Sequence, residues 1–263
     1  MSRRPIAGSR GLITGASSGI GRELALQLAD RGAALLLTAR RQERLDALVA
    51  QIRRQGGTAR AVPGDVTSPA LREKLVETVA EHWEGELDLL VNNAGVGALG
   101  PFADAQPARL RQVMEVNFFA PAELTRDLLP CLRRGYRPLI VNISSVLGHR
   151  AVPYKSEYCA SKFALHGFSD ALRAELAPAK IGVLLVSPST TQTEFEQHVL
   201  ERHAAARRSP FPASAAAVAR QTVRAIRAGR HEIILTPGGK LLVWLDRLCP
   251  PLANRLIARF GKS

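Results

Sequence analysis

The sequence predicts an α/β fold, a single doubly wound parallel sheet with helices on both faces. Residues 33–38, 87–91, 139–143 and 181–186 are short continuous apolar runs bounded by glycine, proline or charge, as strands buried on both faces require. Between and after them, residues 21–31, 41–55, 70–83, 108–132 and 158–176 repeat apolar side chains at helical spacing. Strand and helix alternate to about Gly229, the order that parallel crossover units demand. With 263 residues and 46% hydrophobic content the chain can fill such a core, and no linker or internal repeat divides it. Residues 1–237 are therefore read as one domain, and 238–263 as an amphipathic extension.

The first strand, about Arg10 to Thr14, leads into Gly15-Ala16-Ser17-Ser18-Gly19-Ile20-Gly21 and a helix. Glycine permits a tight strand-to-helix turn with close backbone approach, and a helix N-terminus offers free N–H groups to an anion. Gly15, Ser17, Ser18, Gly19, Ile20 and Gly21 are thus candidate phosphate-cradling residues. The second strand ends in Thr38-Ala39-Arg40-Arg41. A carboxylate there would hold a ribose 2′-hydroxyl, whereas an arginine suits a 2′-phosphate. Arg40 therefore favours NADP(H) over NAD(H), with Ser17 as a second phosphate contact. Asp65 and Val66, after the third strand, are placed at the adenine edge, although Asp65 also suits a capped turn before a helix starting near Pro69. After the fourth strand, Asn92, Ala94 and Gly95 stand at the carboxyl edge of the sheet, where ligands of open α/β sheets bind.

Tyr158-Cys159-Ala160-Ser161-Lys162 opens the helix at 158–176, and the spacing of four sets Tyr158 and Lys162 on one face. An ammonium beside a phenol favours the phenolate, so Tyr158 is expected to have a lowered pKa and to exchange a proton with substrate. The pair carries weight only through its company. Thr14 to Gly21, Asn92 to Gly95, Val141-Asn142-Ile143-Ser144-Ser145 and Tyr158 to Lys162 resemble, in order and spacing, the short-chain dehydrogenase/reductase family in its branch of about 250 residues. The resemblance implies a Rossmann-type sheet of seven parallel strands and a catalytic tetrad of Asn117, Ser145, Tyr158 and Lys162. It implies Tyr158 as acid/base, Ser145 as donor to the substrate oxygen, Lys162 as the tuning group that also holds the nicotinamide ribose, and Asn117 as the holder of a relay water. Ser145 is preferred to Ser144 by its distance from the tyrosine. The family usually reads Pro-Gly after the sixth strand, whereas this chain reads Pro188-Ser189-Thr190-Thr191-Gln192-Thr193. Pro188, Thr191 and Thr193 are expected against the cofactor, with the serine putting the backbone there in doubt.

A lid is expected at about 190–215, with Phe195 and Phe211 forming an apolar pocket and Arg207 and Arg208 facing either an anionic substrate or water. Tyr154 is placed as a wall of the substrate pocket. The extension carries Leu241, Trp244, Leu245 and Leu248 among Lys240 and Arg247, then Pro250-Pro251, then a second apolar stretch. It could lie on an anionic membrane, cover a lipophilic substrate, or pack on the domain or a second subunit.

The formal charge of +13 suits several anionic partners. No nucleic-acid-binding motif accompanies it, and none is expected to bind. The three cysteines are too dispersed for a disulfide framework, and the six histidines show no metal-ligand spacing, so no metal is expected. No secretory signal or stretch of about 18 apolar residues is present. The expected protein is a cytoplasmic homodimer or homotetramer, peripheral to a membrane if the extension docks there, acting on a small carbonyl or alcohol. A silent dinucleotide sensor would be expected to lose the tyrosine or lysine, and this chain keeps both; a basic surface-binding protein on the same fold is the remaining alternative.

Overall fold

The computed structural model describes residues 4–195, 199–200 and 212–260. Its elements run β1 (Arg10–Thr14), α1 (Gly19–Ala29), β2 (Ala34–Thr38), α2 (Gln42–Arg54), β3 (Thr58–Ala61), α3 (Pro69–Trp83), β4 (Leu89–Asn92) and β5 (Gly97–Ala98). They continue with α4 (Pro107–Met114), α5 (Ala120–Arg134), β6 (Leu139–Ile143), α6 (Ser156–Leu176), β7 (Gly182–Ser187), β8 (Thr191–Gln192), β9 (Val199–Leu200) and β10 (Ala213–Ser214). The chain closes with α7 (Ala215–Ala228), β11 (Glu232–Ile234), α8 (Pro237–Leu248) and α9 (Pro250–Phe260).

Seven strands form one parallel sheet in the order β11-β7-β6-β4-β1-β2-β3. The continuous apolar runs are explained by the two layers they serve. Leu12, Leu36, Leu90, Ile140 and Val183 point into a core with Leu75, Leu128 and Leu172 of α3, α5 and α6. Their neighbours Ile13, Leu37, Val91, Val141 and Leu184 point oppositely, toward Leu24, Leu48 and Val223 of α1, α2 and α7. Each fully buried aliphatic side chain contributes about 1.5–3 kcal/mol, so both faces are held by the alternation within each strand. Because β1 lies between β2 and β4, successive crossovers leave it in opposite directions. The resulting crevice opens at the carboxyl ends of the strands.

The continuous helix expected at 108–132 is broken. α4 and α5 are separated by a π-helical turn over Glu115–Phe119, where the Ala120 N–H bonds five residues back to the Glu115 carbonyl. Periodicity cannot register such a turn, since one inserted residue leaves the apolar faces on either side intact.

The extension forms α8 and α9, separated at Pro250. Val243, Ala253 and Ile257 bury one side of the pair, and Arg150 bridges Asp246 at 2.8 Å and also donates to Asn254. On the outer side Leu241, Trp244 and Leu248 are exposed. Packing on the domain therefore holds for one face. Among the described residues no helix is long and apolar enough to cross a membrane.

Candidate active site

The glycine turn after β1 is shaped by close approach. Gly15 and Gly19 have φ of +65° and +54°, in the left-handed region that favours glycine. A Cβ on Gly21 would lie 2.4 Å from the Asn93 amide nitrogen and 2.5 Å from the Gly15 carbonyl oxygen, so that glycine serves packing. Thr14 Oγ1 accepts the N–H groups of Asn93 and Ala94, both at 3.0 Å, while Asn93 Nδ2 donates to the Thr14 carbonyl at 2.9 Å. The turns after β1 and β4 are thereby locked together on either side of the crevice.

Asn92, expected at the cofactor edge, is instead turned into the core. It is 4% exposed, and its Nδ2 donates to Thr125 Oγ1 at 3.1 Å and Asn142 Oδ1 at 2.9 Å. Strand alternation explains the exchange: Asn92 is the last residue of β4 and points inward, while Asn93 takes the rim.

A groove of about 1120 Å³ runs along the carboxyl edge. That exceeds the roughly 300–1,000 Å³ of an ordinary ligand cleft, enough for a dinucleotide and a substrate together. Gly15, Ser17, Ser18, Gly19, Ile20, Arg40, Asp65, Val66, Ala94, Gly95, Pro188, Thr191 and Thr193 all line it. Asp65 also caps its own turn, accepting from Thr67 N–H and Oγ1 at 3.0 and 2.8 Å. Ser189 keeps an ordinary backbone, outside the left-handed residues, and its Oγ accepts from Thr236 Oγ1 at 3.1 Å. The serine is therefore accommodated without strain, and it ties the loop to the start of α8.

Arg41, a residue the sequence pattern did not single out, is more firmly placed than its neighbour. Its guanidinium donates to Ser17 Oγ at 3.1 Å and Ser18 Oγ at 2.7 Å, and pairs with Glu194 at 2.9 Å. Hydrogen bonds from Arg41 and Arg44 hold the Glu194 carboxyl below its usual range. Two arginines thus hold a carboxylate beside the glycine turn, and the turn's two serine hydroxyls anchor one of those arginines. Arg40 is exposed on the rim of the same groove.

At the groove floor stand Ser145, at the end of β6, and Tyr158 and Lys162 on α6. The Ser145 side chain faces the Tyr158 phenol and favours its ionised form, while Ser145 Oγ accepts the Leu147 N–H at 3.1 Å. Ser144 Oγ, by contrast, is buried with no partner among the described residues. Lys162 Nζ donates to the Ile143 carbonyl at 3.1 Å and lies 5.7 Å from the centre of the Tyr158 ring. The expected lowering of the tyrosine pKa is overturned for the protein alone. Burial raises Tyr158 to about 12 against the opposing Ser145 side chain, and burial lowers Lys162 to about 8. Helical spacing shows that two groups share a face, and it does not show how dry the face is.

Asn117 sits in the π-turn and is 1% exposed. Its side chain is consumed: Oδ1 accepts the Val96 N–H at 2.9 Å, and Nδ2 donates to the Val96 carbonyl and Ser161 Oγ, each at 3.0 Å. Pro121, four residues on, lacks the N–H that would close an α-helical bond to the Asn117 carbonyl. Any relay role therefore falls to the main-chain oxygen.

Apolar side chains also line the groove, together with Gln112, Glu115 and Lys155. Val96, Leu99, Val152, Phe195 and Leu242 line it, and the Phe195 ring meets Tyr158 edge-on at 5.9 Å between centroids. β5 pairs with β9, which brings Val199 over Gly97. Leu242 brings α8, the first helix of the extension, into the wall of the groove. Tyr154 does not line the groove; it is exposed at φ +64°, with its carbonyl accepting from Gly100 N–H at 2.9 Å. Arg207, Arg208 and Phe211 lie outside the described residues.

Behind α6, His149 is paired with Glu232 at 3.0 Å and His166 lies against it edge-on, a cluster that sequence spacing could not reveal. Beside the tyrosine, Arg109 of α4 donates to Glu157 from Nε at 3.0 Å and Nη2 at 2.7 Å, and their side chains are 0% and 2% exposed. Desolvation opposes ionisation of Glu157, but hydrogen bonds from Arg109, its own N–H and Ser156 prevail and hold its pKa low.

A family model described as short chain dehydrogenase matches residues 11–204. The chain is 35% identical to dehydrogenase/reductase SDR family member 7B of Xenopus laevis, over 96% of this chain and 81% of that protein. It is 31% identical to the ketoacyl reductase HetN of a Nostoc species, over 97% and 90% respectively. A solved short-chain dehydrogenase/reductase from Burkholderia phymatum, in complex with NAD, matches with a TM-score of 0.85 and 29% identity, covering 95% of this chain and 96% of that one. With the seven-stranded sheet, these matches establish that the chain belongs to the short-chain dehydrogenase/reductase family.

Proposed function

We propose that the protein is an NADP(H)-dependent oxidoreductase that interconverts a lipophilic carbonyl compound, a ketone, aldehyde or acyl carbonyl, with its alcohol. The observation that carries this reading is the gathering of Ser145, Tyr158 and Lys162 in one groove, with the Lys162 ammonium 5.7 Å from the Tyr158 ring and Phe195 edge-on to it. The dinucleotide, when bound, supplies or accepts the hydride. Ser145 and Tyr158 orient the carbonyl oxygen, and Tyr158 gives it the phenolic proton during reduction. A phenol raised to about 12 is protonated at neutral pH, so the free protein is poised to act as an acid. Lys162 places its ammonium near the phenolate left behind, and the Asn117 carbonyl is the acceptor for water behind it. Gly15, Gly19, Ile20, Ala94 and Gly95 line the dinucleotide's course, with Thr191 and Thr193 closing over it. The ketoacyl reductase among the relatives and the NAD-bound structural neighbour are consistent with this class of chemistry.

The preference for NADP(H) rests on the cradle of Ser17, Ser18 and Arg41, with Arg40 at its rim. Glu194 is the anion paired with Arg41 in the protein alone, and a 2′-phosphate that replaced it would accept the same charge-assisted bond. Arg40→Ala and Arg41→Ala should each weaken NADPH by roughly tenfold or more and change NADH little, since each lost charge-assisted bond costs about 1.5–3 kcal/mol. Glu194→Gln should tighten NADPH selectively. Equal effects on both dinucleotides in a titration would remove the 2′-phosphate assignment.

The depressed Lys162 pKa has a kinetic consequence. The ammonium is present below about pH 8 and lost above it, so kcat/KM for reduction, which reports free-enzyme groups, should fall on the alkaline side with an apparent pKa near that value. An alkaline limb absent up to pH 10 would contradict it. The reading as a whole is tested by NADPH consumption over a panel of lipophilic ketones, aldehydes and acyl carbonyls. Binding of NADPH without turnover of any of them would favour the sensor.

Self-association as a homodimer or homotetramer is supported by the exposed Leu110, Phe119 and Phe163. The exposed row Leu241, Trp244 and Leu248, flanked by Lys240 and Arg247, supports peripheral contact of a cytoplasmic protein with an anionic membrane. Vesicle sedimentation with and without anionic lipid distinguishes the two uses of exposed apolar surface.

A further inference from the structure

His149, His166 and Glu232 come from the loop after β6, from α6 and from the edge strand β11. One ring nitrogen of each histidine and one carboxylate oxygen lie within 4.8 Å of one another. We propose that these three residues form a binding site for a divalent transition metal of the zinc type, at the edge of the sheet behind the lysine-bearing helix. This revises the sequence reading, which expects no metal because the residues are far apart along the chain.

Three observations carry the proposal. The His149 Nε2 to Glu232 Oε1 separation is 3.0 Å, near the roughly 3.3 Å expected between two ligands about 2.0–2.1 Å from a tetrahedral zinc. His166 Nε2 is buried and has no hydrogen-bond partner among the described residues, an arrangement that costs free energy unless something binds it. The backbone also makes room for it, since a Cβ on Gly148 would lie 2.5 Å from that nitrogen. Two imidazoles and one carboxylate suit zinc, cobalt or nickel, and not magnesium or calcium, which prefer all-oxygen sets. Ser187 Oγ, 3.1 Å from His149 Nε2, would give up that contact when the nitrogen binds a metal, and Glu232, 41% exposed, leaves solvent a route to a fourth position.

Such an ion would pin β11 to α6 and to the loop beyond Ser145. Calorimetric titration of tag-free protein with zinc chloride should give one equivalent bound, and cobalt(II) should show the visible absorption of a four- or five-coordinate site. Zinc at about a hundredfold above its dissociation constant should raise Tm by several degrees. Glu232→Gln, a half-exposed change that leaves the fold intact, and His149→Gln and His166→Gln should each weaken binding at least about tenfold. His82→Gln and His231→Gln should not. Absence of zinc binding would overturn the proposal, as would binding that survives in the triple variant. Binding lost equally in the two control variants would also overturn it.

Discussion

Replacing Tyr158 by phenylalanine is expected to lower kcat by about 10²–10⁴-fold, the usual worth of a positioned acid, while NADPH affinity stays nearly unchanged. The ring keeps its edge-on contact with Phe195 and its place in the groove, so only the hydroxyl that faces Ser145 disappears. A loss confined to kcat identifies a group acting in the transition state, whereas a loss confined to KM would make Tyr158 a wall of the pocket. The same variant separates turnover from binding, so substantial residual reduction would remove Tyr158 from the role assigned to it.

The largest structural effect is expected at Arg109 and Glu157. The pair is almost fully desolvated, so Arg109→Met, which strands a buried carboxylate, should cost about 3–5 kcal/mol of stability. The double variant Arg109→Met with Glu157→Leu should recover much of that loss, because an apolar pair leaves no charge uncompensated. The folded-state pKa of Glu157 is depressed, so its contribution is present above the unfolded carboxyl value of about 4.3 and is lost as pH falls through the lower folded value. Chemical denaturation at pH 7 and pH 3 checks both statements; equal destabilisation by the single and double variants would show that packing, not charge, holds α4 to α6. Since Glu157 precedes Tyr158, the single variant should also lower kcat/KM more than its residual folded fraction explains.

The sheet was legible because each buried strand alternates its side chains between two apolar layers, leaving continuous apolar runs that mark it at short range. The helices were legible by period, except where function intrudes. The π-turn around Asn117 adds one residue and removes one bond without disturbing the pattern on either side, so periodicity reads straight through it. Asn92 and Asn93 were ambiguous for a related reason: two adjacent amides at a strand end point oppositely, and only the register decides which meets the groove. Arg41 escaped notice because its partners Ser17, Ser18 and Glu194 lie on separate loops. The tyrosine pKa went the other way from expectation because burial, a property of the whole site, outweighs a single neighbouring charge. His149, His166 and Glu232 likewise come together only through the sheet order, which sets β11 beside β7.

The reaction assigned to the groove has one direct readout. NADPH carrying deuterium at C4 of the nicotinamide is incubated with a carbonyl compound that supports cofactor consumption, and the alcohol is examined by mass spectrometry. One deuterium is expected on the carbinol carbon per transferred hydride with the wild-type protein, and essentially none with Tyr158→Phe under the same conditions. Tight NADPH binding with no label transferred to any ketone, aldehyde or acyl carbonyl would contradict the assigned reaction.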